Sequence, residues 1–162
     1  DLGKTADGDR ASVVGMKTAL TAALEAWKKP GAPRIPENVQ KAAEALSKQV
    51  DEIHGKYVPP EQAQGNAGPP LTYTAPPFGQ RIGGLMGSIE GYSAAPTSQQ
   101  MTELATIAQL VGDAHTAVKK LVDEDLANLN KMMNDAGIPH ITTGAPAGER
   151  RGPRSDADVP IE

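Results

Sequence analysis

Cysteine is absent from the 162 residues, so no disulfide can staple the fold and no thiolate can ligate zinc or act as a nucleophile. A chain without cysteine suits a reducing compartment and an oxidising one equally. Aromatic residues are nearly absent too: Trp27, Tyr57, Tyr73, Phe78 and Tyr92 are all there are. They are too few to line a carbohydrate cleft between two facing carboxylates, which speaks against glycoside hydrolysis by this chain. Nor does any apolar run approach the roughly 18 residues that cross a bilayer, so no direct transmembrane segment is expected. Basic residues are outnumbered, 16 against 20 acidic, and the net charge of -4 argues against a phosphate-tracking surface and hence against nucleic acid as a partner. Residues 1–10 lack the charged and apolar regions of a signal peptide. The opening Asp1-Leu2-Gly3, without methionine, is read as a processed start or a segment of a longer product.

What is present is helical periodicity. Val13, Met16, Leu20, Ala23, Leu24 and Trp27 recur at three- and four-residue steps, which predicts a first helix over about residues 9–29, stopped by Pro30-Gly31. Pro36 opens a second over about 36–55, with Val39, Ala42, Ala43, Leu46, Val50 and Ile53 on its apolar face and Gly55 as terminator. A weaker third covers about 78–92, where Ile82, Leu85, Met86 and Ile89 share a face. Gly83, Gly84 and Gly87 interrupt it at about 1 kcal/mol each, a cost that close packing against a neighbour is expected to offset. The fourth, about 97–136, is the strongest signal: one uninterrupted amphipathic helix of roughly 60 Å. Thr97 and Gln100 form a capping box at its start, and Gly137 followed by Pro139 marks its end. Its seam is read as Leu104, Ile107, Val111, Ala114, Val118, Leu121, Val122, Leu129 and Met132.

These segments predict an all-α fold, an antiparallel up-down four-helix bundle over residues 1–141. A Pro/Gly-rich crossover strap, residues 56–77, would lie along it, with Leu71, Tyr73 and Phe78 dipping into a core groove. Residues 142–162 form an irregular, extended tail expected to be disordered alone, and either to be held by a partner or to stay disordered.

Candidate chemistry is sparse. His54, His115 and His140 are the only histidines, and none stands three or four residues from another as a helix-borne zinc site requires; no metal or cofactor is expected. His115 beside the long seam is read as a partly buried packing residue bonded to a neighbour, and His54 as a cation favouring a helix C-terminus. Asp123, Glu124 and Asp125 occupy consecutive helical positions about 100° apart, so they form a solvated face rather than a converging ion site. Ser47, Ser88, Ser93 and Ser98 lack the strand-turn-helix elbow of a nucleophilic serine, and Gly83-Gly84 lacks the lysine of a phosphate loop. No catalytic residue is assigned, and a non-enzymatic role is expected.

Residues 50–141 contain Leu71-Thr72-Tyr73 before the helix at Phe78, then Leu85 to Tyr92 followed by Ala95-Pro96-Thr97. Leu121-Val122-Asp123-Glu124-Asp125-Leu126 leads through Asn128-Leu129-Asn130 to Gly137-Ile138-Pro139. In these packing, capping and turn positions the chain resembles the C-terminal helical region of bacterial sortilin-like proteins, whose large N-terminal part is a β-propeller often described as a glycosyl hydrolase. The resemblance carries no active site and departs from the family at Tyr73-Thr74-Ala75-Pro76-Pro77, where a shorter Tyr-Pro turn is usual. It implies a periplasmic or extracellular origin and a helical module without its propeller.

The expected function is therefore a non-catalytic structural or accessory subunit that docks through its strap and termini onto a larger assembly, such as the periplasmic face of a respiratory or photosynthetic membrane complex. The alternative is the C-terminal accessory domain of a sortilin-like hydrolase, separated from its catalytic propeller. A protein partner is expected, and the residues assigned to it are Tyr57, Tyr73, Ile141, Arg150, Arg151, Arg154, Val159 and Ile161.

Overall fold

The computed structural model describes residues 2–59, 75–91 and 95–142, and among these every regular element is helical. The elements are α1 (Leu2–Trp27), α2 (Glu37–Tyr57), α3 (Phe78–Glu90) and α4 (Ser98–Lys120), which runs through a π-helical segment, Leu121–Leu126, into α5 (Ala127–Asp135). The all-α bundle is as the periodicity predicts. Residues 60–74 of the strap and 143–162 of the tail, with Tyr73, Arg150, Arg151, Arg154, Val159 and Ile161, lie outside the described residues.

Cross-helix pairs define the directions. Tyr57 bonds to Asp9 and Lys17 pairs with Asp51 at 2.9 Å, so α2 runs antiparallel to α1. Arg81 pairs with Glu103 at 2.8 Å while Gln100 donates to Ser88, so α3 runs antiparallel to α4. Asp9 meets His115 and Leu2 lies beside Leu104 and Ile107, which makes α1 and α4 parallel. Thus α2 and α3 share one direction and follow one another along the bundle, so the helices do not alternate up and down in chain order as expected. Their junction is an edge-to-face contact between Tyr57 and Phe78, ring centroids 5.2 Å apart. Phe78 is buried, as its spacing predicts.

The helix ends follow local chemistry. The carbonyl of Pro36 accepts from the N–H groups of Val39 and Gln40, which suits a residue fixed in extended geometry before a helix. α2 passes through Gly55 and stops two residues later at Tyr57, because burying the tyrosine favours the extra half-turn over the glycine's preference to end the helix. Thr97 and Gln100 form the predicted reciprocal capping box. At the far end Gly137 adopts φ +69°, Gly137 N–H donates to Asn134 and Ile138 N–H to Met133, a Schellman stop with Ile138 and Met133 both buried.

Three local expectations are corrected. α1 begins at Leu2 rather than near Asp9, because Ala6 and Asp9 continue the buried stripe of Val13, Met16 and Leu20. The fourth helix is interrupted. Its buried positions step Ile107, Val111, Ala114, Val118, Leu121, then jump five to Leu126 before Leu129 and Met133. Five α-helical residues would turn 500°, placing Leu126 about 140° from Leu121; the wider π turn absorbs the extra residue and keeps both buried. In consequence Met133 is fully buried while Met132, on the predicted seam, is only partly so. Leu104 is also off the seam, 41% exposed on the flank toward the start of α1. Finally, a Cβ added at Gly79, Gly83, Gly84 or Gly87 would meet nothing within 4 Å, so the glycines of α3 face open space and serve no internal close approach.

Candidate functional site

Two features stand out, one polar and one apolar. The polar one begins with Asp9, the one buried charged residue among those described, 5% exposed on the core face of α1. A lone carboxylate there would be costly, and two neighbours compensate it. The Tyr57 hydroxyl of α2 donates to Oδ2 at 3.0 Å, and the His115 Nδ1–H of α4 donates to Oδ1 at 2.8 Å. One side chain thereby ties three helices together. Burial first, then the charge of Asp9 and the hydrogen bond to it, push the Tyr57 phenol far above its ordinary range. His115 itself is half-exposed, with Asp9 fixing the orientation of its ring. Its reading as a packing residue bonded to a neighbour agrees with this geometry. The sequence signal for Asp9 was its place in the apolar stripe, three residues after Ala6 and four before Val13.

Of the assigned partner residues the structure describes two, Tyr57 and Ile141, and both are buried. Tyr57 is 4% exposed and its hydroxyl is spent on Asp9, so it is a core residue rather than a docking residue. Ile141 is 5% exposed; its N–H donates to Asn130 Oδ1 at 2.7 Å and its carbonyl accepts from Asn130 Nδ2 at 2.8 Å. That two-point clamp folds the chain after Gly137 back onto the bundle. His54 lies in the last turn of α2, but burial and the nearby Lys17 and Arg10 lower its pKa against the opposing pull of Asp51. The neutral imidazole is therefore favoured over the cation expected at a helix C-terminus. Asp123 and Glu124 are exposed on the π segment, as a solvated face requires, while Asp125 is half-buried. Among the described residues no three His, Asp or Glu side chains converge as metal ligands, and no helix is long and apolar enough to cross a membrane.

The apolar feature lies at the end of the bundle where α1 starts. There α1, α3 and α4 enclose an open groove of about 460 Å³, walled by Leu2, Ile82, Leu85, Met86, Ile89 and Leu104 over Ile107. Met86 is 53% exposed at its edge, and Met101, one turn before Leu104 on α4, is equally exposed. Among the described residues of the lining, Lys4 is the only charged one. The same apolar residues of α3 were legible as a helix face; that the described residues leave one flank of this face uncovered was not.

Compared with protein-family models, with curated proteins and with solved structures, the chain matches none of them. Among the described residues, the Asp9 cluster and the apolar groove are the features from which a function is inferred.

Proposed function

We propose that the chain is a non-catalytic accessory subunit that docks onto a larger protein assembly, in the periplasm or outside the cell, where a membrane complex is the setting expected from the sequence. The observation that supports docking is the exposure of Met86 and Leu104, which line one groove, with Met101 equally exposed one turn before Leu104 on α4. Large apolar side chains grouped on a surface mark interaction sites more often than single ones do. Methionine adapts its shape to a partner at little cost. This shifts the docking surface from Tyr57 and Ile141, which the core consumes, to the outer side of α3 and the first turns of α4.

The test is a photo-crosslinking amino acid at Met101 in the source cell, with Thr106, exposed elsewhere on α4, as control. A single adduct, formed from Met101 and not from Thr106, at stoichiometry matching a copurifying subunit, is expected. Equal labelling at both positions, or adducts of Met101 only with abundant bystanders, would refute docking through this surface.

A further inference from the structure

The contact between Asp9 and His115 fixes one nitrogen of an imidazole inside the bundle and leaves the other toward solvent, an arrangement that docking does not call on. We infer that His115 Nε2 is a phosphoryl-acceptor site, modified by an acyl phosphate to give a phosphoramidate. The site is separate from the apolar groove and stands whether or not the chain docks onto a protein.

Asp9 decides the tautomer. A carboxylate only accepts, so the 2.8 Å contact with Asp9 Oδ1 puts the ring proton on His115 Nδ1 and the lone pair on Nε2. Tyr57 holds the other carboxylate oxygen at 3.0 Å, so the buried anchor is fixed on both sides. The imidazole is half-exposed, and among the described residues neither His54 nor His140 has a carboxylate bonded to its ring. Gly112, three residues earlier on α4, has nothing within 4 Å of where a Cβ would stand, which keeps the surface beside the ring low for an incoming donor. Lys119, exposed one turn later on the same side of α4, can meet the phosphoryl oxygens. In the step, Nε2 attacks phosphorus, an N–P bond forms, the P–O bond to the acyl group breaks, and the carboxylate leaves with the electron pair. Nδ1 keeps its proton, so the phosphorylated ring is cationic and Asp9 lies against that charge, as a carboxylate behind a reacting histidine does. The N–P bond is itself activated, so the donor needs a leaving group as weakly basic as a carboxylate, pKa about 4; the alkoxide of a phosphoserine does not qualify. Two other roles for Nε2 fit less well. A metal would find no further His, Asp or Glu ligands converging among the described residues, and a general base would need a substrate cleft, whereas the ring stands outside the apolar groove.

The experiment is incubation of the full chain with acetyl phosphate and magnesium, followed by fragmentation mass spectrometry and phosphorus NMR. A single phosphoryl group on His115 is expected, stable in alkali and lost in acid as a phosphoramidate is, with His54 and His140 labelled far more slowly. His115→Gln should abolish it. Asp9→Asn keeps the shape of the positioning residue and removes its charge; it should slow labelling by about tenfold or more at unchanged helicity. Two-bond proton–nitrogen spectra of the parent chain, which require no variant to fold, should show Nε2 of the neutral His115 ring unprotonated. A rate that saturates with acetyl phosphate assigns a free acyl phosphate as donor, and one that stays linear assigns an acyl phosphate carried on a protein aspartate. Absence of labelling, or equal rates at the three histidines, overturns the inference. So does a proton found on Nε2, or labelling just as fast in a folded Asp9→Asn chain, because either removes the control that Asp9 exerts on the ring.

Discussion

Replacing Tyr57 with phenylalanine removes one oxygen and isolates what the Asp9 cluster contributes. The ring stays in place: Phe78 still meets its edge, centroids 5.2 Å apart, so packing is conserved. What is lost is a 3.0 Å hydrogen bond from a hydroxyl to a carboxylate, both residues about 5% exposed or less. Hydrogen bonds to charged groups contribute about 1.5–3 kcal/mol, and Asp9 Oδ2 is left buried without this donor, which places the cost in the upper half, about 2–3 kcal/mol. For a chain of this size that is a fall in Tm of roughly 5–10 °C. Urea unfolding followed by circular dichroism at 222 nm would report it as a lower midpoint at constant slope. The mechanism makes a second demand. In an Asp9→Leu background the hydroxyl has no acceptor to lose, so the same Tyr57→Phe change should cost nothing or stabilise. A cost below about 0.5 kcal/mol in the parent protein, or an equal cost in both backgrounds, would refute the idea that Asp9 and Tyr57 are coupled.

Leu121→Ala should cost about 2–5 kcal/mol by leaving a cavity, whereas Leu104→Ala, at a site 41% exposed, should stay within about 0.5 kcal/mol; equal effects in urea unfolding would mean the long helix is phased differently. Deleting Asp123 from the π segment should convert it to α-helix while preserving the fold, since Leu121 and Leu126 would then stand four apart; deleting Thr116 from α4 should rotate Val118 and every later core residue by about 100° and unfold the chain, as thermal melts of both deletions would show. His54 has a folded-state pKa below its unfolded 6.5, so the unfolded chain binds the extra proton first and stability falls as pH drops through 6.5. Proton NMR should find a His54 midpoint below 6.5 that rises in Lys17→Ala, because that change removes a lowering charge and frees Asp51 from its 2.9 Å ion pair; an unmoved midpoint would exclude Lys17 as a cause.

Much of the bundle was readable in one dimension because its determinants are local. The capping box at Thr97 and Gln100 uses groups three residues apart, and the Gly137 stop needs only a residue that tolerates positive φ. Helix existence likewise follows from three- and four-residue apolar spacing in α1, α2 and α4. The π segment sits between these cases. The five-residue step from Leu121 to Leu126 is written in the sequence, but Val122 offered an apolar residue that let an unbroken α-helix look consistent. Only packing against α2 decides which of the two registers is buried.

The candidate sites depended on tertiary structure for a different reason. Asp9, Tyr57 and His115 are 48 and 106 residues apart in the hydrogen bonds they make, and no periodicity within one helix reports on such partners. A tyrosine near a proline-rich stretch reads as a surface residue until the acceptor for its hydroxyl is seen to lie inside the core. The groove, too, is a property of relative helix lengths and positions: α3 is short, the first turn of α1 borders it, and Leu104 falls on the flank that the described residues leave uncovered. By itself, then, the sequence determined the helices, their caps and the all-α class, because backbone hydrogen bonding and side-chain periodicity act within a few residues. Tertiary structure decided the direction of α3 after α2, the consumption of Tyr57 and Ile141 by the core, and the exposure of Met86, Met101 and Leu104, because burial is settled by what other segments of the chain come to cover.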